Sequence, residues 1–423
     1  MPSLYDELLA RGYIKQTSDI DVETILEREK VTVYAGFDPT ADSLQCGNLV
    51  PIMALSHFQR KGHRVIVLVG GATGMVGDPS GKSDERKLLT PEDVARNAEG
   101  IKKQLMRFLN FKGDNPAIIL DNNSWIGSMT FIDWLREVGK YFTVNYMLAK
   151  DSVKERLSSE GGISFTEFSY MTMQAYDFLY LFDKHGCRFQ CGGSEQWGNI
   201  TAGIDLIRKT RGKKAYGITF NLVTTANGEK FGKSAGNAIW LDQSKTSPYE
   251  FYQYWMRTDD RQVDSYLRLF TYESIAAIND LSRAHSLNPE KREAQRKLAA
   301  EVTRLVHGDE ETHKAENASN SLYGEGIPRM NDSELGEAYE GVPTHVLPRA
   351  TLDGSMDIVE LLASSGIMKS KGASRRLIEG GGIYLNKIAI EDSKRKIVES
   401  DLVSESCMVL RVGKKDYHKI VFK

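Results

Sequence analysis

Fifteen residues near the start of the chain, Tyr34-Ala35-Gly36-Phe37-Asp38-Pro39-Thr40-Ala41-Asp42-Ser43-Leu44-Gln45-Cys46-Gly47-Asn48, constrain its fold more tightly than any other segment. They follow Val31-Thr32-Val33, a β-branched run suited to a buried strand, and lead into an apolar helical pattern from Leu49 to Phe58. A strand that breaks at glycines and restarts as a helix leaves backbone N–H groups pointing outward, where a phosphate can sit. Gly47 opens that helix without a side chain, so a flat ring or a phosphate can approach the backbone closely. Pro51 is tolerated there because the first helical turn has no partner for the N–H it lacks.

The surrounding pattern extends this unit into a sheet. Strand-like runs at 31–34, 65–69 and 117–120 alternate with helical runs at 49–61 and 91–109, which predicts an α/β fold with a parallel sheet. A long apolar helix follows at 165–182, then a strand at 188–191 that ends in Gly192-Gly193. Beyond Ser247-Pro248 the texture is helical only. Residues 324–348 are rich in Gly, Pro and acidic side chains, which suits a linker. The expected division is a Rossmann-like domain over 1–247, an α-helical domain over 248–323, a linker over 324–350 and a small α/β domain over 351–423.

At 423 residues the chain has length for several such domains, and its net charge of −2 carries no global nucleic-acid signal. The charge is uneven, however. Residues 345–423 hold 14 Lys and Arg against 10 Asp and Glu, while the remainder holds 41 against 47. A basic end on an acidic body points to a local polyanion site. No apolar signal core follows Met1, and no stretch is long enough to span a membrane. Cys46, Cys187, Cys191 and Cys407 form no disulfide pattern, and Cys187 and Cys191 beside His185 lack a fourth metal ligand. Buried free thiols and a cytoplasmic location are expected, with no protein-bound metal.

Several constellations carry chemistry. Tyr170, Gln174 and Asp177 recur at i, i+4 and i+7, on one face of a helix that is otherwise apolar nearly all round. A buried carboxylate must be compensated, either by a structural hydrogen-bond network or by a ligand facing that stripe. Gly192-Gly193-Ser194-Glu195-Gln196-Trp197-Gly198-Asn199 is a second strand-to-helix turn, with Glu195 placed to accept from ribose hydroxyls. Lys230-Phe231-Gly232-Lys233-Ser234 sets two ammonium groups on a glycine-hinged loop able to close over a triphosphate. Gly77-Asp78-Pro79-Ser80-Gly81-Lys82-Ser83 misses a P-loop by one residue, because position 76 is Val. Lys369, Lys371, Arg375 and Arg376 line one side of a short helix that stops at Gly380. Arg208, Lys209, Arg211, Lys213 and Lys214 form another basic cluster, read as surface charge first and RNA contact second.

Together these motifs resemble the class I aminoacyl-tRNA synthetases, and Tyr-x-Gly-Phe-Asp-Pro-Thr-Ala is similar to the bacterial-type tyrosine branch in particular. The resemblance implies activation of L-tyrosine by ATP with Mg2+, then transfer to tRNA(Tyr), by a homodimer. It assigns Tyr34 and Asp177 to the phenolic hydroxyl, and Asp78, Tyr170, Gln174 and Gln196 to the rest of tyrosine. Gly36, Asp38, Gly47, Gly193, Glu195 and Lys233 fall on ATP. Thr40, Gln45, Asn48, Lys82, Arg86, Lys230 and Lys233 fall on the reacting phosphates and ribose. The basic end resembles an S4-type RNA-binding domain, which gives Lys369, Lys371, Arg375 and Arg376 to RNA. Gln45 and Asn48 stand where the family usually has histidines. Neither role needs a titrating group, and each amide retains an N–H₂ donor of similar reach.

Overall fold

A computed structural model describes residues 2–80, 88–158, 161–228, 231–234, 237–323, 331–339, 342–413 and 416–423. Lys82, Arg86 and Lys230 lie outside the described residues. The chain divides into two compact units. One comprises residues 1–247 with 254–306, and the other 248–253 with 307–423.

The first unit is built on six strands: β1 (Ile14–Thr17), β2 (Thr32–Phe37), β3 (Arg64–Val69), β4 (Ile118–Asp121), β5 (Cys187–Gly193) and β6 (Tyr216–Phe220). Their order is β1-β6-β5-β2-β3-β4, parallel throughout except that β1 runs antiparallel to β6. From β2 the chain winds outward through β3 and β4, then returns to place β5 on the other side of β2. That reversal makes a crevice at the carboxyl ends of β2 and β5, the usual place for a ligand in such a sheet. β2 and β3 are largely buried and nearly continuous in apolar residues, as a sheet covered on both faces requires.

The helix Phe165–His185 packs across this crevice. Ser164 caps its first turn, and Gly186 ends it in the left-handed conformation at φ 60°. Met171, Ala175, Phe178 and Leu179 pack into a cluster with Tyr34, Ile66 and Leu68. One face of the helix is thereby pressed against the sheet. Its buried Glu167 is compensated by Arg156 at 2.7 Å.

The helices after Met256 do not form a separate domain, contrary to expectation. Those up to residue 306 belong to the first unit, because the N-terminal segment reaches over to them. Arg11 donates to the carbonyl oxygens of Arg268, Thr271 and Glu273, and Tyr13 donates to that of Leu269. The expected linker also needs correction. A helix spans Asp332–Ala338, and Thr344–Leu347 is a strand.

After the short pair β7 (Lys233–Ser234) and β8 (Asn237–Ala238), the remaining strands all lie in the second unit. They are β9 (Thr344–Leu347), β10 (Asp353–Asp357), β11 (Ile383–Leu385), β12 (Ile388–Ala389), β13 (Lys396–Val398), β14 (Cys407–Val412) and β15 (Asp416–Phe422). A five-stranded sheet has the order β12-β11-β14-β15-β9, with β9 parallel to the last strand of the chain. The terminal module therefore begins before residue 351. Its core gathers Ile358, Leu361 and Leu362 from one helix and Ile378 from the helix Lys371–Glu379, against Met408, Leu410, Ile420 and Phe422.

Candidate functional site

The crevice between β2 and β5 opens into a cleft of ≈ 620 Å³. Tyr34, Gly36, Asp38, Thr40, Gln45, Gly47, Asn48, Asp78, Tyr170, Gln174, Asp177, Gly193, Glu195 and Gln196 all line it. Residues spread over about 160 positions of sequence thus meet at one sheet edge. Lys233 does not line the cleft; it is exposed on β7. Lys369, Lys371, Arg375 and Arg376 are exposed on and beside their helix in the second unit. Lys371 pairs with Glu360 at 2.9 Å.

The cleft's inner wall is a continuous hydrogen-bond chain. Tyr170 donates to Asp38 Oδ2 at 2.7 Å, and Thr73 donates to Asp38 Oδ1 at 2.7 Å. Asn122 Nδ2 donates to Thr73 at 3.0 Å and to Asp177 Oδ2 at 2.9 Å. Trp125 Nε1 donates to Asp177 Oδ1 at 2.8 Å. The Ala72 N–H donates to Asn122 Oδ1 at 2.7 Å, which fixes which way that amide faces. Trp125 in turn stacks on Tyr180, with ring centroids 4.2 Å apart. Gly70 makes the closeness possible, since a Cβ there would lie 2.0 Å from Asp38 Oδ1 and 2.3 Å from Thr73 Oγ1.

Burial pushes the Asp177 carboxyl up to about 8, with Asp38 and Asp121 adding to the rise and the bonds from Asn122 and Trp125 opposing it. Tyr34 is 1 % exposed, and its hydroxyl has no hydrogen-bond partner among the described residues. Burial, reinforced by the charge of Asp177, pushes its pKa well above the ordinary range, so the hydroxyl keeps its proton. An unpaired phenol beside a carboxyl with both oxygens engaged is costly without a further polar group between them. A ligand hydroxyl would supply one.

A second network closes the neighbouring wall. Gln196 donates to Asp78 Oδ2 at 2.6 Å, Gln174 donates to Gln196 Oε1 at 3.1 Å, and Asn199 donates to Gln174 Oε1 at 3.0 Å. Toward the mouth, the Gln45 N–H donates to Asn48 Oδ1 at 2.9 Å, leaving the N–H₂ end of Asn48 to serve as donor.

Reasoning from sequence missed Thr73, Asn122, Trp125, Asn199 and Gln190. Asn122 and Trp125 follow the carboxyl end of β4, where a polar Asp-Asn-Asn-Ser run breaks an apolar strand. Gln190 was the most legible omission: it is a 2 % exposed amide in a central strand, and its Oε1 has no partner among the described residues. The other basic cluster is largely neutralised, with Arg208 and Lys209 on Asp205, Arg211 on Asp183, and Lys214 on Asp19 and Asp21. Among the described residues, no three His, Cys, Asp or Glu side chains are grouped to hold a metal, and Cys187 and Cys191 are buried free thiols.

Comparison with known proteins gives the same answer from an independent direction. The family described as tRNA synthetases class I (W and Y) matches residues 26–324, and the Tyrosine--tRNA ligase SYY-like C-terminal domain matches residues 334–420. The chain is 51% identical over 422 residues to a Tyrosine--tRNA ligase of Roseiflexus castenholzii, covering 99% of each chain. It is 50% identical over 420 residues to that of Geobacillus stearothermophilus, again covering 99% of each. Among solved structures, a C-terminally truncated mitochondrial tyrosyl-tRNA synthetase of Aspergillus nidulans superposes with a TM-score of 0.70 at 32% identity, over 76% of this chain and 95% of that one.

Proposed function

The chain belongs to the class I tRNA synthetases of the tryptophan and tyrosine group, and from that premise we propose that its cleft selects L-tyrosine through a preformed polar floor. The activity is that of a tyrosine–tRNA ligase. A carboxylate oxygen of tyrosine attacks the α-phosphorus of ATP, the bond to the bridging oxygen breaks, and pyrophosphate leaves. The terminal ribose hydroxyl of tRNA(Tyr) then takes the tyrosyl group and releases AMP. No side chain needs to act as nucleophile, so catalysis consists of positioning and charge stabilisation along an in-line displacement.

The carrying observation is the unpartnered Tyr34 hydroxyl beside Asp177 at the buried end of the cleft. A phenolic substrate would meet the Tyr34 hydroxyl and face the Asp177 carboxyl; phenylalanine leaves that hydroxyl unmet, and an indole offers an N–H but no hydroxyl. Tyrosine-specific sites are the reference example of this kind of discrimination. In this reading Tyr170 keeps lone pairs free for the substrate ammonium while donating to Asp38, and Asp78, Gln174 and Gln196 share the amino-acid end. Gly36, Gly47, Gly193 and Glu195 carry the nucleoside and its ribose, with Asp38 behind them. Thr40, Gln45, Asn48, Lys233, Lys230, Lys82 and Arg86 meet the phosphates and ribose, and ATP enters as its Mg2+ complex.

We place the enzyme in the cytoplasm, where four buried free thiols stay reduced. We also read it as a homodimer, a reading supported by exposed Phe131, Ile132, Leu135, Val144 and Phe165. Among the described residues, no helix is long and apolar enough to cross a membrane. Lys369, Lys371, Arg375 and Arg376 would meet RNA phosphates, giving affinity with little sequence reading.

Tyrosine-dependent ATP–pyrophosphate exchange tests the reading. Exchange with tyrosine and almost none with phenylalanine or tryptophan is expected. No exchange with tyrosine would leave an inactive RNA-binding relative. Deleting residues 331–423 should preserve exchange and abolish tRNA charging, because none of the cleft residues lies there. Equal loss of both steps in a folded truncation would contradict the assigned division of labour.

A further inference from the structure

We infer that Tyr254 is a positioning residue for the phosphate-binding lysine loop, acting through the backbone of Gly232. The inference rests on the activity proposed above.

Gly232 lies between the two lysines of the second motif, and the chain holds it from both sides. Its N–H donates to the Tyr254 hydroxyl at 3.0 Å, and its carbonyl oxygen accepts from the Ile239 N–H at 2.8 Å. Its φ is +83°, and a Cβ there would lie 3.3 Å from both Cys46 Cβ and Gly47 N. The second motif is therefore seated on the backbone of the first. The seat is reinforced beyond Gly232, where the Cys46 N–H donates to the Ile239 carbonyl at 2.9 Å and the Leu241 N–H to that of Leu44 at 2.9 Å.

On the other side of Gly232, Phe231 is buried and stacks on Phe270, with ring centroids 5.2 Å apart and planes 6° from parallel. Tyr254 meets Phe231 edge-on at 6.0 Å. The ring of Tyr254 thus belongs to an apolar cluster, while its hydroxyl accepts from the loop backbone at Gly232. Burial pushes its pKa upward, so the hydroxyl keeps its proton and stays neutral. Lys233 follows at once, exposed at the start of β7. A lysine is a flexible point charge, and its reach is set by where its backbone is fixed. Fixing Gly232 in register with Gly47 sets the origin of Lys233 relative to the nucleotide end of the cleft.

Tyr254→Phe removes the tether and keeps the ring. Pre-steady-state tyrosyl-adenylate formation should slow by roughly threefold to tenfold, the rate equivalent of one ordinary hydrogen bond. ATP and tyrosine dissociation constants should change less than about twofold, because the lysine acts on charge that develops during reaction. The decisive comparison repeats the substitution in a Lys233→Ala background. A residue working through the loop loses its effect there, whereas an independent structural contribution persists undiminished. An unchanged rate in Tyr254→Phe, or the same fold-loss in both backgrounds, overturns the inference. Absence of adenylate formation by the unmodified protein would instead overturn the activity on which it rests.

Discussion

The two ends of the cleft are built differently. At the end proposed for tyrosine, Tyr34, Asp38, Thr73, Asn122 and Trp125 gather beside Tyr170 and Asp177 of the helix Phe165–His185, and hydrogen bonds of 2.7–3.0 Å fix the orientations of all but Tyr34. At the nucleotide end, Thr40, Gly36, Gly47 and Lys233 are exposed, and Gln45, Asn48 and Glu195 are half-buried. Rigid, desolvated groups discriminate between ligands because their geometry cannot adapt. Exposed groups gain little until a charged ligand arrives. On the proposed reading, selection of the amino acid falls to the buried end and barrier lowering to the open end.

Substitutions at the open end should therefore act on rate and not on recognition. Gln45→Ala should slow adenylate formation by about 3 kcal/mol, on the scale of one lost preorganised donor, with ATP affinity nearly unchanged. Rapid-quench measurement of the first turnover gives both numbers. Weakened ATP binding with an unaltered rate would erase the distinction between the two ends.

At the buried end the order of effects reverses. Asp177→Ala leaves Trp125 Nε1 without its acceptor and removes the carboxyl proposed to meet the substrate hydroxyl. Tyrosine kcat/KM should fall by about 2–3 kcal/mol, with much less loss for phenylalanine. Tyr34→Phe should cost about 1 kcal/mol, because it removes one hydrogen bond and strands no other group of the buried network. Thermal melting of each variant separates loss of the site from loss of the fold.

The smallest effect concerns pH. His63 is buried behind β3 and accepts from the Val31 N–H at 3.2 Å, and burial, assisted by Lys30, lowers its pKa to about 4. The folded protein binds fewer protons there than the unfolded chain between about pH 6.5 and pH 4. Stability should decline as pH falls through that window. Urea unfolding at pH 7 and pH 5 checks this, and His63→Gln should flatten the decline.

The contrast also explains which features were legible in the sequence. Asp177 is conspicuous because a carboxylate in an apolar helix needs compensation that local sequence does not supply. Its partners Asn122 and Trp125 come from a strand end more than fifty residues earlier, and only the fold brings them near. Asp38 was assigned to ATP, yet its two oxygens hold Tyr170 and Thr73, an engagement that depends on Gly70. The open end was easier to read, because its glycines and lysines lie in short contiguous motifs. Strand β9 escaped notice because four residues after a Pro, in an acidic stretch, show no usable period until β15 pairs with them.

The ratio of tyrosine to phenylalanine kcat/KM in pyrophosphate exchange, measured side by side for the unmodified protein, Asp177→Ala and Gln45→Ala, tests the division most directly. The account predicts that the ratio collapses in Asp177→Ala and stays unchanged in Gln45→Ala, although both are slow. An unchanged ratio in a folded Asp177→Ala protein would show that the buried wall is structural and that selection is made elsewhere.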